Sequence, residues 1–212
     1  MKPETPHEPP PRAALLVVDV QNDFCTGGAL AVPGSEQVVA AVNRYVEEAV
    51  ARRFPIYASR DWHPATTSHF QPYGGEWPIH CVQGSEGARF HPALRLPADT
   101  IVVTKGEDPQ RPGYSAFDGR TPERKPLLDD LRERGITRLY VTGLATDYCV
   151  KHSALDALAA GLEVTVLEDA VAGVDVRPGD AARALAEMQS KGARLASGPG
   201  ALTEAPGAAR NR

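Results

Sequence analysis

The chain has 212 residues, with 23 lysines plus arginines against 27 aspartates plus glutamates and a formal net charge of −4. That is enough chain for one domain with a full core and short for two, and it lacks the basic excess that nucleic-acid or membrane partners would require. With 42% hydrophobic and 24% charged residues, the composition is that of a folded globular domain.

Residues 1–12, MKPETPHEPPPR, carry prolines at positions 3, 6, 9, 10 and 11 and no apolar core of signal-peptide length. They are expected to form a mobile leader. The longest apolar stretch, Ala13 to Val18, is far too short to span a bilayer. Cys25, Cys81 and Cys149 form neither a CxxC pair nor an even framework, so a reducing, cytoplasmic setting is expected.

From Ala13 the chain alternates between two periodicities. AALLVVDV predicts a first buried strand, and Ser35 to Arg53 a helix whose stripe is Val38, Val39, Val42, Val46 and Val50. PIYAS around Ile56 predicts a second strand. Residues 60–99, rich in Pro, Gly, His and Trp with little periodicity, read as a long loop, and loops of that length are usually functional. TIVVT from Thr100 is the next strand, followed by a helix through Leu127, Leu128 and Leu131 before Gly135. RLYVT from Arg138, a helix from about Asp147 to Ala160 ending at Gly161, EVTVLE from Glu163 and a helix from Asp180 to Lys191 ending at Gly192 complete the body. The tail from Ser197 is again expected to be mobile. This alternation predicts one α/β domain: a doubly wound, mostly parallel sheet with helices on both faces and ligands bound beyond the strands' carboxyl ends.

Several chemistry-bearing side chains fall at those ends. Asp19 closes the first strand, where an acid caps the next turn as readily as it serves a site. Asp61 and His63 in SRDWHP share one face of an extended segment, and His69 and His80 follow, so a carboxylate and three of the six histidines fall within one loop. That set suits zinc, iron or manganese, with a chance surface cluster as the alternative. His91 and His152 have no such company and read as ordinary surface or helix residues. Lys105 ends the strand TIVVT. A solvated lysine is the common case there, but one facing Asp19 and a thiol would favour the thiolate. Cys149, in YVTGLATDYCVKHS, stands at a strand-turn-helix junction, where helix N–H groups stabilise a thiolate and can hold an oxyanion. Inert packing is the alternative, and it is the reading given to Cys25 and Cys81. Asp19, Lys105 and Cys149 together would make a nucleophilic hydrolase site. Neither G-x-G-x-x-G after the first strand nor G-x-x-x-x-G-K-[ST] is present, which argues against a nucleotide-binding module.

These residues, in order and spacing, resemble the isochorismatase-like cysteine hydrolases, and within them the nicotinamidases. The resemblance runs through LLVVDVQNDFCTGGAL, SRDWHPATTSHF, WPIHCVQGSEGARFHP, VTKGEDPQRPGYSAFDG and VTGLATDYCVKHSALDALAAG. It implies a catalytic triad of Asp19, Lys105 and Cys149, and one divalent transition metal on Asp61, His63 and His80, with His69 as a fourth ligand in some members. Zinc comes first among the metals, with iron and manganese also found in the family. It further implies an oxyanion hole from the N–H groups of Ala145 and Cys149, a cis peptide between Leu144 and Ala145, and ring contacts from Phe24, Trp77 and Tyr114. The stretch between Lys105 and Tyr114 is longer than in several relatives, and Tyr148 stands where histidine is frequent. The activity implied is hydrolysis of nicotinamide to nicotinate and ammonia through a cysteine thioester. The alternative is a related amidohydrolase acting on another small amide or carbamoyl substrate. The only partner expected is a small molecule, and assembly with further copies of the chain stays open.

Overall fold

The computed structural model describes residues 13–202. The expected leader and residues 203–212 of the expected tail lie outside the described residues. The sheet consists of β1 (Ala13–Val18), β2 (Ile56–Asp61), β3 (Ile101–Lys105), β4 (Arg138–Leu144), β5 (Glu163–Ala172) and β6 (Arg194–Ala196). Its order is β3-β2-β1-β4-β5-β6, and every pairing between these strands is parallel. The helices are α1 (Ser35–Ala51), α2 (Leu127–Glu133), α3 (Lys151–Ala159) and α4 (Asp180–Ser190). The expected doubly wound sheet is therefore the architecture observed.

Alternate residues of β1 enter two cores. Ala13, Leu15 and Val17 pack with the α1 stripe of Val38, Val39, Val42 and Val46, while Ala14, Leu16 and Val18 pack with Leu127, Leu131, Ala154, Ala157 and Met188 from α2, α3 and α4. All six β1 side chains are buried, which explains why the strand reads as an uninterrupted apolar run instead of an alternating one. No helix among the described residues is long and apolar enough to cross a membrane.

Five local features depart from the sequence reading. Val50, expected on the α1 stripe, is exposed, near the helix's C-terminal end. β2 runs through Asp61, so Arg60 and Asp61 belong to the strand and the long loop starts at Trp62. The third helix opens as a π turn, Thr146–Val150, before α3, and Cys149 lies in that turn instead of in a first α-helical turn. β6 was not foreseen: its three residues, one exposed and two half-buried, carry too short a pattern to register. Leu202, inside the expected tail, is wholly buried in the α1-side core.

The order reverses between β1 and β4, so the crevice at their carboxyl ends is where this topology places ligands. The Val18 backbone lies close against Gly143 there. A Cβ at Gly143 would stand 2.0 Å from the carbonyl oxygen of Val18, and the residue has φ 106°, so only glycine fits.

Candidate active site

Three adjacent strands deliver three of the expected residues to one point. Asp19 follows β1 directly, Asp61 ends β2, and Lys105 ends β3 as the direct cross-strand partner of Asp61. Lys105 is buried, and its Nζ lies 2.6 Å from Asp61 Oδ1 and 2.8 Å from Asp19 Oδ2. It also donates to the carbonyl of Gly113 at 3.1 Å and to Cys149 Sγ at 3.4 Å. A lysine so far from water persists as an ammonium only because two carboxylates face it. Burial works against its charge, but Asp19 and Asp61 outweigh burial and raise its pKa well above the ordinary lysine value.

The same terms set the acids apart. Burial would raise Asp61, yet Lys105 and His63 overcome it and hold this carboxyl well below the usual range. For Asp19 burial prevails over the opposing Lys105 and Ser59, and its pKa is raised. Ser59 donates a 2.7 Å hydrogen bond to Asp19 Oδ1. At Cys149 burial is again the largest effect and pushes the thiol well above its ordinary value, with Lys105 pulling the other way. The expectation that Lys105 favours the thiolate is correct in direction, but depth of burial outweighs it. Burial thus favours the thiol form of Cys149, which lies beside Asp19.

Beside the triad stand His63, His69 and His80, whose ring nitrogens lie within 4.8 Å of one another. The Nδ1 of His63 meets the Gly106 carbonyl at 3.1 Å, and the Nδ1 of His80 meets the Pro78 carbonyl at 2.7 Å. Carbonyls at Nδ1 orient each ring with its Nε2 directed away from them, which is how ligating histidines are held. The Nε2 of His63 is buried with no hydrogen-bond partner, and it lies 3.6 Å from Asp61 Oδ2. Burial lowers the pKa of His80, and lowers that of His69 to about 3 with help from His63 and His80. Two imidazoles whose burial favours the neutral form, an unpartnered buried ring nitrogen and an ionised carboxylate fit a divalent metal. The three histidines form one cluster, and Asp61 groups instead with Asp19 and Cys149; its Oδ2 faces His63 and its Oδ1 faces Lys105.

Phe24, Leu30, Trp77, Tyr114, Ala145, Tyr148 and Val174 line the cleft over Cys149. Trp77 Nε1 donates to the Tyr114 hydroxyl at 2.9 Å, and Tyr148 meets the Trp77 ring edge-on at 4.8 Å. The longer Lys105–Tyr114 stretch thus still delivers Tyr114 to the cleft. His152, which the sequence left as an ordinary helix residue, stacks on Tyr114 at 5.2 Å. The Leu144–Ala145 peptide is cis. His91 sits 3.7 Å from Glu36, away from the cleft, and Cys25 and Cys81 are buried.

Sequence reasoning missed the residues that hold these groups in place. Gln21, wholly buried, accepts from the Asp61 N–H and donates to the carbonyls of Asp61 and Ala88, all at 2.8 Å. Asp147 accepts from the N–H groups of Val174 and Asp175, tying the loop after β5 to the turn that carries Cys149. The period-two spacing of Asp19 with Gln21, and of Ser59 with Asp61, is the one available signal.

A thiol, an ammonium and a carboxylate at neighbouring strand ends of a doubly wound sheet, beside a histidine cluster, define a cysteine hydrolase of the metal-associated kind. Residues 13–198 match the Isochorismatase domain family, and the chain belongs to that family. It is 47% identical to the nicotinamidase of Escherichia coli, the match covering 88% of this chain and 94% of that protein. It is 42% identical to the nicotinamidase/pyrazinamidase of Mycobacterium tuberculosis, over 86% of this chain and 97% of that one. Its structure superposes on that of the pyrazinamidase of Pyrococcus horikoshii in complex with zinc with a TM-score of 0.82 and 43% identity, over 89% of this chain and all of the other.

Proposed function

We propose that the protein hydrolyses nicotinamide to nicotinate and ammonia with Cys149 as the nucleophile. The observation that carries this reading is the contact of the Cys149 thiol with Lys105 and Asp19 beneath an aromatic cleft lined by histidines, in a chain 47% identical to a nicotinamidase.

Asp19, whose raised pKa makes it a stronger base than an exposed carboxylate, takes the thiol proton. Lys105 stays protonated and stabilises the thiolate as it forms. Sγ then bonds to the carboxamide carbon, and the N–H groups of Ala145 and Cys149 hydrogen-bond the resulting oxyanion. Asp19 returns the proton to the nitrogen, the C–N bond breaks, ammonia leaves and a thioester remains. Asp19 next takes a proton from water, whose oxygen attacks the thioester carbon, and cleavage of the C–S bond releases nicotinate and restores the thiol. Phe24, Trp77 and Tyr114 flank the flat ring, for which offset or edge-on packing is favoured. Asp61, His63 and His80, with His69 as a fourth donor, would hold a divalent ion, zinc before iron or manganese, which when bound supplies a Lewis acid for the pyridine nitrogen.

The test is ammonia release from nicotinamide by zinc-loaded wild type, Cys149→Ala and His63→Ala, with zinc content measured for each. Wild type should turn over, Cys149→Ala should keep its zinc and lose turnover, and His63→Ala should lose both. A fully metallated wild type that leaves nicotinamide intact refutes the reaction. Turnover by Cys149→Ala refutes the nucleophile.

A further inference from the structure

We infer that Asp23 is a positioning residue for the metal site: through the backbone of Cys81 it sets where His63 and His80 stand relative to each other. The inference rests on the reading of those two histidines as metal ligands. Asp23 lies in the turn after β1 and is not among the residues lining the cleft. Its Oδ2 accepts a 2.7 Å hydrogen bond from the N–H of Cys81, the residue after His80. The carbonyl of Cys81 in turn accepts the N–H of His63 at 2.9 Å. One residue, held at its nitrogen by Asp23 and at its oxygen by His63, therefore spaces the two imidazoles.

Cys81 needs such a hold. Its φ is 46°, in the left-handed region that a residue with a Cβ seldom enters. Without the carboxylate its N–H loses its acceptor, the backbone is free to return to a common conformation, and the His80 ring turns with it. Asp23 is itself fixed on three sides. Asp23 N–H donates to the Gly87 carbonyl at 3.0 Å, Oδ1 accepts from Ala29 at 3.3 Å, and a Cβ on Gly87 would stand 2.0 Å from Oδ2. Glycine at 87 thus keeps open the space that Asp23 fills.

The experiment measures the zinc dissociation constant by competition with a chromophoric chelator, using the full chain stripped of metal and then titrated with zinc alone. The variants are Asp23→Ala, Asp23→Asn and Gly87→Ala. Asp23→Ala should bind zinc at least tenfold more weakly, within the range usual for groups that orient ligands. Asp23→Asn keeps one oxygen that can face Cys81 while its NH2 meets the Ala29 N–H, so it should weaken zinc binding less than Asp23→Ala does. Gly87→Ala, which drives a methyl onto the carboxylate, should weaken binding as Asp23→Ala does, and it serves as the decisive variant where Asp23→Ala does not fold. The cobalt-substituted protein adds a structural readout: its visible spectrum should change more in Asp23→Ala than in Asp23→Asn. A folded Asp23→Ala or Gly87→Ala with wild-type zinc affinity overturns the inference, as does an equal loss in Asp23→Asn. Zinc affinity is read without substrate, so a chain that leaves nicotinamide intact would refute the proposed reaction without touching this result.

Discussion

Replacing Lys105 by methionine, similar in length and without charge, tests the electrostatic argument directly. At an effective dielectric of about 20, a unit charge at the 3.4 Å separation of Nζ and Sγ stabilises a thiolate by about 5 kcal/mol, or between about three and four pKa units. Burial already disfavours the thiolate, so nothing else nearby replaces that stabilisation, and turnover should fall about a thousandfold. The substitution also leaves Asp19 and Asp61 facing each other in the interior, which should cost about 3–5 kcal/mol of stability unless one of them takes up a proton. Iodoacetamide alkylation of Cys149 as a function of pH reads the thiolate population, urea denaturation reads the stability, and ammonia release reads the consequence. If Lys105→Met keeps its zinc, alkylates with a wild-type pH profile and turns over within tenfold of wild type, the thiolate argument is wrong.

Removing the metal with a chelator should abolish turnover and leave far-UV circular dichroism unchanged, since the cores lie behind the strands; zinc should restore activity, and an active metal-free protein would show that the histidines serve another purpose. Gln21→Leu strips Asp61 of its backbone partners and should cost about 3–5 kcal/mol in urea denaturation, because several buried polar groups lose their acceptor or donor together. A loss under 1 kcal/mol would mean that water or a shift of the loop replaces the amide. Burial favours a higher pKa for Asp130, but hydrogen bonds from Arg134 and Tyr57 outweigh it and lower the pKa. The folded value being depressed, its contribution is present above the unfolded pKa of about 4 and disappears as pH falls through the folded value. The stability gap between wild type and Asp130→Asn, about 1–2 kcal/mol, should therefore be level from pH 5 to 7 and close at lower pH. A gap that widens on acidification would reverse the assigned sign.

The strands were legible because a parallel sheet covered on both faces writes each one as a short continuous apolar run, as in β1, and the helices because α1 and α4 carry stripes at helical spacing. β6 was not, since Arg194, Leu195 and Ala196 make up a single turn of alternation at a sheet edge. The π turn at Thr146–Val150 was equally silent: its residues are ordinary, and its geometry is fixed by the packing of the segment against β4 and α4. Chemistry-bearing types announced themselves at Asp19, Asp61, His63, His69, His80, Lys105 and Cys149. Gln21 and Asp23 did not, because they act on backbone groups 40 and 58 residues away, and a hydrogen bond to a peptide leaves no mark on the partner's side chain. The thiol's raised pKa was hidden for a related reason: a charge can be read from sequence, whereas burial depth needs the third dimension.

Asp61 shows why the triad and the histidine cluster behave as one object. Its Oδ1 takes the short contact with Lys105 and its Oδ2 faces His63, so a single carboxylate neutralises the ammonium on one side and presents charge to a metal on the other. Lys105 holds the Asp61 carboxyl low, while Asp19 and Asp61 together raise Lys105. Asp19, wholly buried, has the raised pKa that the proposed proton carrier would need. A substitution at Asp61 therefore removes the Lys105 contact and the carboxylate facing His63 at once.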